Sequence, residues 1–322
     1  MTTDASPQSK QARPYLATGL KLLVTVIILA VIFHFVSVEE IWAGITRTNP
    51  LVWGGVLIGF LIGHVLASFK WGLLVGQKLP FPDIVKAHFA GLAANIALPG
   101  VAGGDVARAA ILSRKVMSRS KLVTGSILDR LIDVGGLVLI AALGAAMLGT
   151  AGQTGLWLQG ISAAIIVVAL IAFLLLPMLA RIVQAQMAER GKAGVMIAEL
   201  AHYMAEHRIR ILICASLSIL IQTGFVLLNV ALAWSMQGPT NIAIWLFAWP
   251  LAKLIATLPI SLGGLGVREA SLAAIFAGFA FESPVVIAVG FVWQTILIST
   301  GLIGLAVQAW SGKFKAAPES AQ

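Results

Sequence analysis

Residues 98–112 read LPGVAGGDVARAAIL, and residues 258–272 read LPISLGGLGVREASL. Aligned without a gap, 160 residues apart, the two stretches agree at seven of 15 positions, including a proline, a glycine pair and an arginine. Such agreement is beyond chance even in an apolar chain. The sequence therefore contains an internal repeat, and each copy is centred on a proline and glycine break between two apolar segments.

The composition indicates a membrane protein. Of 322 residues, 59% are hydrophobic and 11% are charged, whereas a soluble domain carries about 25% charged residues. Apolar runs of about 20 residues recur along the chain, which excludes a soluble globular domain and a disordered chain. The net charge is +9. In a membrane protein, basic residues in the cytoplasmic loops explain such a charge, so no nucleic acid partner is predicted. A single cysteine, Cys214, excludes an intramolecular disulfide, and no metal site or cofactor is expected.

Ten apolar segments can be delimited, and four of them are too short to cross a bilayer. A crossing helix needs about 20 residues, and the four short segments form two pairs, each split by one of the repeated motifs. We interpret each pair as a re-entrant helical hairpin, because irregular backbone at membrane depth is tolerated only within protein or beside a watery cavity. The hairpins are expected at 84–113 and 243–281. The six crossings are expected at 16–36, 51–76, 122–148, 157–179, 209–236 and 284–310.

The distribution of basic residues predicts the orientation. With the N-terminus inside the cell, 16 of the 22 lysines and arginines fall on the cytoplasmic side, and Arg47 alone falls outside. The other five lie within apolar segments: Lys70, Arg108, Arg130, Lys253 and Arg268. Because cytoplasmic loops are enriched in Lys and Arg, we predict a multi-pass protein of the cell (inner) membrane with both termini cytoplasmic.

The chain is predicted to form one membrane domain, residues 15–311, between disordered tails at 1–14 and 312–322. Its repeat cores lie near 84–148 and 243–310, and residues 181–208 are expected to form an amphipathic helix on the cytoplasmic surface. Gly55, Gly59 and Gly63 have the spacing of a close helix contact. The predicted fold class is an all-α polytopic membrane protein, with about six transmembrane helices plus two re-entrant helical hairpins in an inverted repeat.

The repeat is inverted because three crossings, an odd number, separate the hairpins. Inverted repeats are typical of transporters whose substrate site lies at the repeat interface. In each motif the glycine pair is expected to leave backbone amides open, and the second half-helix points its positive N-terminus at the turn. Arg108 and Arg268 follow one helical turn later, and an arginine fork suits phosphate. The sequence therefore predicts an anion site near the midplane.

Acidic residues accompany the arginines in the apolar segments. Asp105, Asp129, Asp133 and Glu269 nearly balance the five intramembrane bases. Internal ion pairs that merely hold the hairpins are the alternative to a substrate site, because a charge in the membrane is costly unless it is paired. Neither explanation is excluded by the sequence. His34 and His64 have no metal-ligand companion at helical spacing, and no Ser-His-Asp arrangement is found.

The motifs NIALPGVAGGDVARAAIL (95–112), KLVTGSILDRLIDVGGL (121–137) and LPISLGGLGVREASL (258–272) resemble the flippase-like integral membrane family of the lysylphosphatidylglycerol synthase transmembrane region. The resemblance extends from about Leu16 to Trp310. It implies a protein that moves or handles phospholipids, or other lipids with anionic head groups. Synthases of this family carry a large soluble acyltransferase domain after the membrane region, and since residues 1–322 do not include one, lysyl transfer is not expected.

The resemblance and the repeat together give the candidate substrate-binding residues. In the first motif block they are Asn95, Pro99, Gly103, Gly104, Asp105, Arg108, Asp129, Arg130 and Asp133. In the second half they are Lys253, Pro259, Ser261, Gly263, Gly264, Gly266, Arg268 and Glu269. No catalytic residue is assigned.

Three functions fit the sequence, and a lipid transporter of the flippase or scramblase type is favoured. The duplicated arginine supports transport, since an enzyme is expected to keep its catalytic groups in one copy. The alternatives are a membrane-embedded enzyme acting on a lipid-linked substrate, with Asp105 or Glu269 as base, and a non-catalytic partner of a separate lipid-synthesising enzyme. The expected partner is a membrane phospholipid, and whether the chain forms a homo-oligomer is left open.

Overall fold

A computed structural model describes most of the chain. The described residues are 12–35, 37–97, 103–113, 119–148, 153–187, 191–258, 261, 264–281 and 283–315. All regular structure in these ranges is α-helical, which confirms the predicted all-α class.

Thirteen helices occupy the described ranges. In the first half they are α1 (Ala12–Phe35), α2 (Val38–Thr46), α3 (Pro50–Val75), α4 (Phe81–Ala97), α5 (Gly103–Leu112), α6 (Arg119–Met147) and α7 (Gln153–Leu174). In the second half they are α8 (Leu176–Met187), α9 (Gly191–Glu206), α10 (Arg208–Ser235), α11 (Ile242–Thr257), α12 (Val267–Ala277) and α13 (Ser283–Lys315).

Within the described residues, four helices are long and apolar enough to cross a membrane by themselves. They are the apolar parts of α3, α6, α10 and α13. Two bent pairs, α1 with α2 and α7 with α8, raise the number to six if each pair is one span. If each bent pair is one span, the six correspond to the six crossings predicted from the sequence. The all-α polytopic membrane fold is confirmed.

The two repeated motifs join short helices that pack against each other. Helices α4 and α5 have 17 and 10 residues, and α11 and α12 have 16 and 11. At 1.5 Å per residue, none of them reaches the roughly 30 Å thickness of the hydrocarbon core. Helix α4 packs against α5, and α11 packs against α12. Each motif therefore lies at the turn of a helical hairpin.

Each hairpin packs against a long helix from the other half of the chain. Shifted by 160 residues, α3, α4, α5 and α6 correspond to α10, α11, α12 and α13. Helix α4 of the first hairpin packs on α13, the last helix of the second half, and α11 of the second hairpin packs on α6 of the first half. Helices α3 and α10 pack on each other. These reciprocal contacts are what an approximate two-fold relation between the repeats requires.

Glycines permit the close contact between α3 and α10, as the spacing of Gly55, Gly59 and Gly63 predicted. A Cβ added at Gly59 would lie 2.9 Å from the Leu228 side chain, and the Gly63 position faces the ring of Phe225. Gly55 has open space beside it, so two of the three glycines make the contact. Polar residues of both helices, His64 and Lys70 of α3 and Gln222 of α10, line one cavity.

Two segments differ from the sequence prediction. Residues 37–50, between the first two predicted crossings and assigned no helix from the sequence, contain α2. Its first turn is capped by the Ser37 hydroxyl, which accepts a hydrogen bond from the Glu40 amide at 3.1 Å. Residues 181–208, expected as one amphipathic helix, belong to α8 and α9, which pack against each other, and to the start of α10. Helix α8 turns by 76° from α7, near a proline at position 177 that lacks a backbone N–H.

Candidate functional site

A charged cavity lies among α3, α4, α5, α6, α10 and α11 and has a volume of about 170 Å³. Four cationic side chains reach it: Lys70, Arg108, Arg130 and Lys253. Three carboxylates face them: Asp105, Asp129 and Asp133. Six of these seven residues belong to the sequence-predicted candidate site, and Lys70 is added by the structure.

Lys70 on α3 is the innermost cation of the cavity. Its ammonium lies 3.1 Å from Asp129 Oδ1 and also contacts Asp133 Oδ1, both on α6. The Ser218 hydroxyl on α10 donates to Asp133 at 2.5 Å. Lys70 is 1% exposed, so this pairing compensates a charge that would otherwise be costly to bury.

Arg108, on helix α5 of the first hairpin, shares Asp129 with Lys70. One of its terminal nitrogens, Nη2, lies 3.0 Å from Asp129 Oδ2 and 3.1 Å from Asp105 Oδ1. The guanidinium also sits 4.5 Å from the centre of the Trp71 ring, a favourable cation–π distance. Arg108 is buried, and its partners on α5 and α6 tie the second half-helix of the hairpin to a long helix.

Arg130 lies at the outer side of the cavity. Its Nε lies 2.7 Å from Asp105 Oδ2, and its side chain is 46% exposed while that of Asp105 is 25% exposed. Asp105 therefore bridges the buried Arg108 and the accessible Arg130. The ion pairs form one continuous network from Lys70 to Arg130, with three cations and three anions.

Lys253 comes from the second hairpin and faces a different set of groups. Its ammonium donates a hydrogen bond to Gln222 Oε1 on α10 at 2.8 Å and lies 5.6 Å from the centre of the Phe225 ring. Both partners are uncharged. Lys253 is the residue through which the second hairpin contributes to a cavity otherwise built mainly by the first half of the chain.

Two histidines line the same cavity as a pair. His64 Nδ1 on α3 lies 3.0 Å from His88 Nε2 on α4, within hydrogen-bond distance. His64 has no companion at helical spacing on its own helix, as predicted, and its partner lies 24 residues along the chain on another helix. The pair attaches the first half-helix of the hairpin to a predicted span.

In each motif a side-chain oxygen accepts a hydrogen bond from a backbone amide at the start of the second helix. The Gly104 amide donates to Asn95 Oδ1 at 2.8 Å, so this amide, predicted to be open to a ligand, already has a partner. In the second motif the Gly266 amide donates to Glu269 Oε2 at 2.8 Å. Both turns use a side-chain oxygen to satisfy an amide that a helix start leaves unpaired.

Arg268 lies in a separate buried pair and is not among the residues lining the cavity. Its Nη2 lies 2.5 Å from Glu269 Oε1 and also donates to Gly290 O at 3.3 Å and Gln294 Oε1 at 3.2 Å. Glu269 is fully buried. The structure therefore does not bring the two repeated arginines to one anion site. Arg108 lines the cavity, whereas Arg268 holds α12 against α13.

The remaining predicted site residues are located as follows. Gly264 and Gly266 adopt left-handed backbone with φ of +78° and +80°, a conformation that favours glycine. Ser261 is buried, and Gly103 begins α5. Three predicted site residues lie outside the described residues: Pro99, Pro259 and Gly263.

Sequence reasoning missed four polar contributors to the cavity: Lys70, His64, His88 and Gln222. Lys70 carried a usable signal, since a basic residue inside an apolar span is a functional candidate by default. The other three are single polar residues in apolar helices, and only the packing of α3, α4 and α10 brings them together.

Gly104 offers a test of the tight hairpin. A Cβ at this position would lie 2.6 Å from both Asn95 Oδ1 and Gly91 O, too close for any real contact. Gly104→Ala is expected to lower the free energy of unfolding by about 1–3 kcal/mol through overpacking. Thermal unfolding of the purified protein in detergent measures the loss.

Gly135 is the matched control for Gly104. It lies in α6, and a Cβ added there has open space within 4 Å. Gly135→Ala is expected to leave the melting temperature unchanged or raise it, because alanine restricts the unfolded chain. Equal melting temperatures for the two variants and the parent would contradict the close α4–α5 contact.

The described helices form a polytopic all-α membrane fold with an ion-paired cavity among α3, α4, α5, α6, α10 and α11. The family model described as the lysylphosphatidylglycerol synthase TM region matches residues 19–304, and the chain belongs to this family. The match confirms the resemblance found in the motifs. The search of curated proteins finds no matching sequence.

Proposed function

We propose that this protein moves phospholipids, or other lipids with anionic head groups, between the two leaflets of the membrane. The observation that carries the proposal is the cavity, in which four cationic and three anionic side chains lie within a bundle of apolar helices. Charged side chains inside a bundle of membrane helices mark substrate or ion pathways, and a lipid head group is a polar substrate that must cross the apolar interior. Membership of the lysylphosphatidylglycerol synthase TM family supports a lipid-related role.

The two hairpins are proposed to enter the membrane from opposite faces and to carry the head group between them. Their short helices and the exchanged packing of α4 on α13 and α11 on α6 support this. Inverted repeats of this kind allow alternating access by movement of one half against the other. Rigid motion at the cavity would open it towards one leaflet at a time.

An enzymatic role is less well supported, and we propose that the protein is not an enzyme. Glu269, one candidate base, is fully buried and bonded through both oxygens. Asp105, the other candidate, is ion-paired to Arg108 and Arg130. A general base must lie within hydrogen-bond reach of the substrate proton, and Glu269 is not among the described residues that line the cavity. Cooperation with a separate lipid-synthesising enzyme, or assembly into a homo-oligomer, is compatible with the transport proposal.

Lipid movement is tested by reconstituting the full chain in liposomes that contain fluorescent phosphatidylglycerol. A membrane-impermeant quencher added outside reports the lipid that reaches the outer leaflet. We expect movement faster than in protein-free liposomes and faster than with heat-denatured protein. Equal rates in all three would refute the proposal, and a chemically altered lipid detected by mass spectrometry would favour the enzymatic alternative.

The orientation is proposed from the split of 16 cytoplasmic basic residues to one external residue. On a background in which Cys214 is replaced, a cysteine placed at 195, in α9, should be labelled by an impermeant thiol reagent only after the inner membrane is opened. Strong labelling in intact cells would contradict the proposal that both termini and the α8–α9 segment are cytoplasmic.

A further inference from the structure

The two histidines of the cavity have no role in the proposed transport so far. His64 Nδ1 on α3 lies 3.0 Å from His88 Nε2 on α4, and both residues line the cavity. The ring centres of Phe60 and Phe225 lie 4.5 and 5.5 Å from that of His64. The histidine pair therefore contacts apolar rings and also borders the charged groups of the cavity.

The hydrogen bond between the rings limits how many protons the pair can hold. A neutral imidazole has one N–H donor and one acceptor nitrogen, so one proton lies between His64 Nδ1 and His88 Nε2. In the neutral pair a second proton is on one outer nitrogen, and the other outer nitrogen keeps its lone pair. That nitrogen can accept one proton while the bond between the rings remains. A further proton would place two N–H groups against each other, so the geometry provides a site for a single proton.

One of the two outer nitrogens is buried without a partner. His88 is 9% exposed, and its Nδ1 has no hydrogen-bond partner among the described residues. Buried polar atoms in folded proteins normally have a partner. A nitrogen of this kind, in a ring whose other nitrogen is already bonded, is a candidate for reversible binding of a proton.

The charged residues around the pair come from four helices. Those that line the cavity are Lys70 of α3, Asp105 and Arg108 of α5, Asp129, Arg130 and Asp133 of α6, and Lys253 of α11. The described residues of α10 that line it are uncharged, and α13, which packs on α3 and α4, has no ionisable residue before Lys313. Four cations and three carboxylates give the cavity a formal charge of +1 while the pair is neutral.

This balance opposes a proton on the pair until an anion enters the cavity, because like charges repel. Three cations repel a positive charge on His88: Arg108, Lys70 and Arg130. One cation and one carboxylate act on His64: Lys253 and Asp133. An anion in the cavity attracts the added proton and offsets the repulsion. The anion and the proton therefore favour each other's binding, and such a coupling is reciprocal.

We propose that the His64–His88 pair binds one proton together with the anionic head group, and that a proton gradient thereby drives lipid movement. This inference rests on the proposed function and names its energy source. A proton from water adds to the free outer nitrogen as the head group enters, and it returns to water as the head group leaves. Lipid and proton move in the same direction, so the lipid collects in the leaflet that faces the more alkaline side.

Proton uptake on lipid binding tests the site without requiring lipid movement. Dioctanoyl phosphatidylglycerol is titrated into the full protein in detergent, near neutral pH, by calorimetry in two buffers of different ionisation enthalpy. The parent is expected to take up about 0.5 to 1 proton per bound lipid, since the site holds one proton. A phosphodiester is the probe because a phosphomonoester itself titrates near about pH 6.

The double variant His64→Asn/His88→Gln separates the proton site from the structural link. Its amides lie where Nδ1 and Nε2 of the rings lie, so they can form a hydrogen bond but cannot take up a proton near neutral pH. Proton uptake is expected to fall at least fivefold in a variant that still melts cooperatively. The control is His202→Gln, which removes an exposed histidine of α9 beside Glu206 and should behave like the parent.

Nitrogen-15 spectra of the histidine rings give an answer that needs no substitution. In the parent, the lipid should convert the one unprotonated outer nitrogen of the two hydrogen-bonded rings to N–H. Ring nitrogens that stay unchanged when the lipid binds, proton uptake that is absent in the parent, or uptake that is kept in the folded double variant would each overturn the inference.

A pH difference across liposomes tests whether the proton drives movement. With one proton per lipid, a difference of one pH unit should bring fluorescent phosphatidylglycerol towards an about tenfold excess in the leaflet on the alkaline side. Protein-free liposomes with the same gradient give the spontaneous redistribution to be subtracted, and the double variant should show no more than this. Movement by the parent that ignores the gradient refutes the coupling and leaves the transport proposal standing. Histidine-dependent proton uptake without movement supports the proton site and refutes transport.

Discussion

Arg268→Leu is expected to lower the free energy of unfolding by about 3–5 kcal/mol, the cost of leaving one member of a buried ion pair alone. Glu269 is fully buried, and in the described part of the structure Arg268 is its one cationic partner, at 2.5 Å. The same change removes the bonds from Arg268 to Gly290 O and Gln294 Oε1, which connect α12 to α13. Thermal and denaturant unfolding in detergent should both report the loss.

The double variant Arg268→Leu/Glu269→Leu is the control for this prediction. Replacing a whole buried ion pair by apolar residues is often neutral, so the double variant should recover much of the stability, less the cap that Glu269 provides to the Gly266 amide. A single variant as stable as the parent, or a double variant less stable than the single one, would show that the pair does not hold α12 in place.

Arg108→Leu is expected to slow lipid movement in liposomes by roughly 10- to 100-fold while the protein remains folded. The loss corresponds to the 1.5–3 kcal/mol of a charged hydrogen bond. Stability is largely kept because both carboxylates retain a cation: Asp129 keeps Lys70 at 3.1 Å, and Asp105 keeps Arg130 at 2.7 Å. Lipid movement falls because the cavity loses its excess positive charge and, with it, the attraction for an anion.

Arg108→Lys provides the matched comparison. Lysine restores the charge but has no planar guanidinium to stack on Trp71, whose ring centre lies 4.5 Å from that of Arg108, so movement should return only in part. Circular dichroism and melting temperature must show that the leucine variant is folded. If folded Arg108→Leu moves phosphatidylglycerol at the parent rate, the arginine is structural and the cavity does not attract the head group through it.

The motif that Arg108 and Arg268 share does not predict that only Arg108 lines the cavity. Both follow a glycine pair by four residues, which predicted one common site. Their neighbours differ: Asp105 is replaced by Leu265, and Ala109 by Glu269. In the second copy the carboxylate therefore lies directly beside the arginine and engages it within the helix. In the first copy the arginine reaches across to α6, where Asp129 lies.

The hairpins and crossings were predictable because length, apolarity and proline or glycine breaks are local properties. The cavity was predictable only in part. All seven of its charged residues stand out in the sequence as charges in apolar segments or in the repeat. The pairing of His64 with His88 and of Lys253 with Gln222, however, depends on which helices touch. Helix α2 had a local signal, since Ser37 and Glu40 have capping-box spacing.

The exchanged packing of the hairpins sets the order in which the protein can assemble. Helix α4 packs on α13, which begins about 200 residues later in the chain. The first hairpin is therefore synthesised long before its main partner exists, and its short helices cannot complete their contacts until the last helix has been inserted. Assembly of the charged cavity is a late, non-local event, and a ribosome-bound chain that stops before α13 leaves the first hairpin incompletely packed.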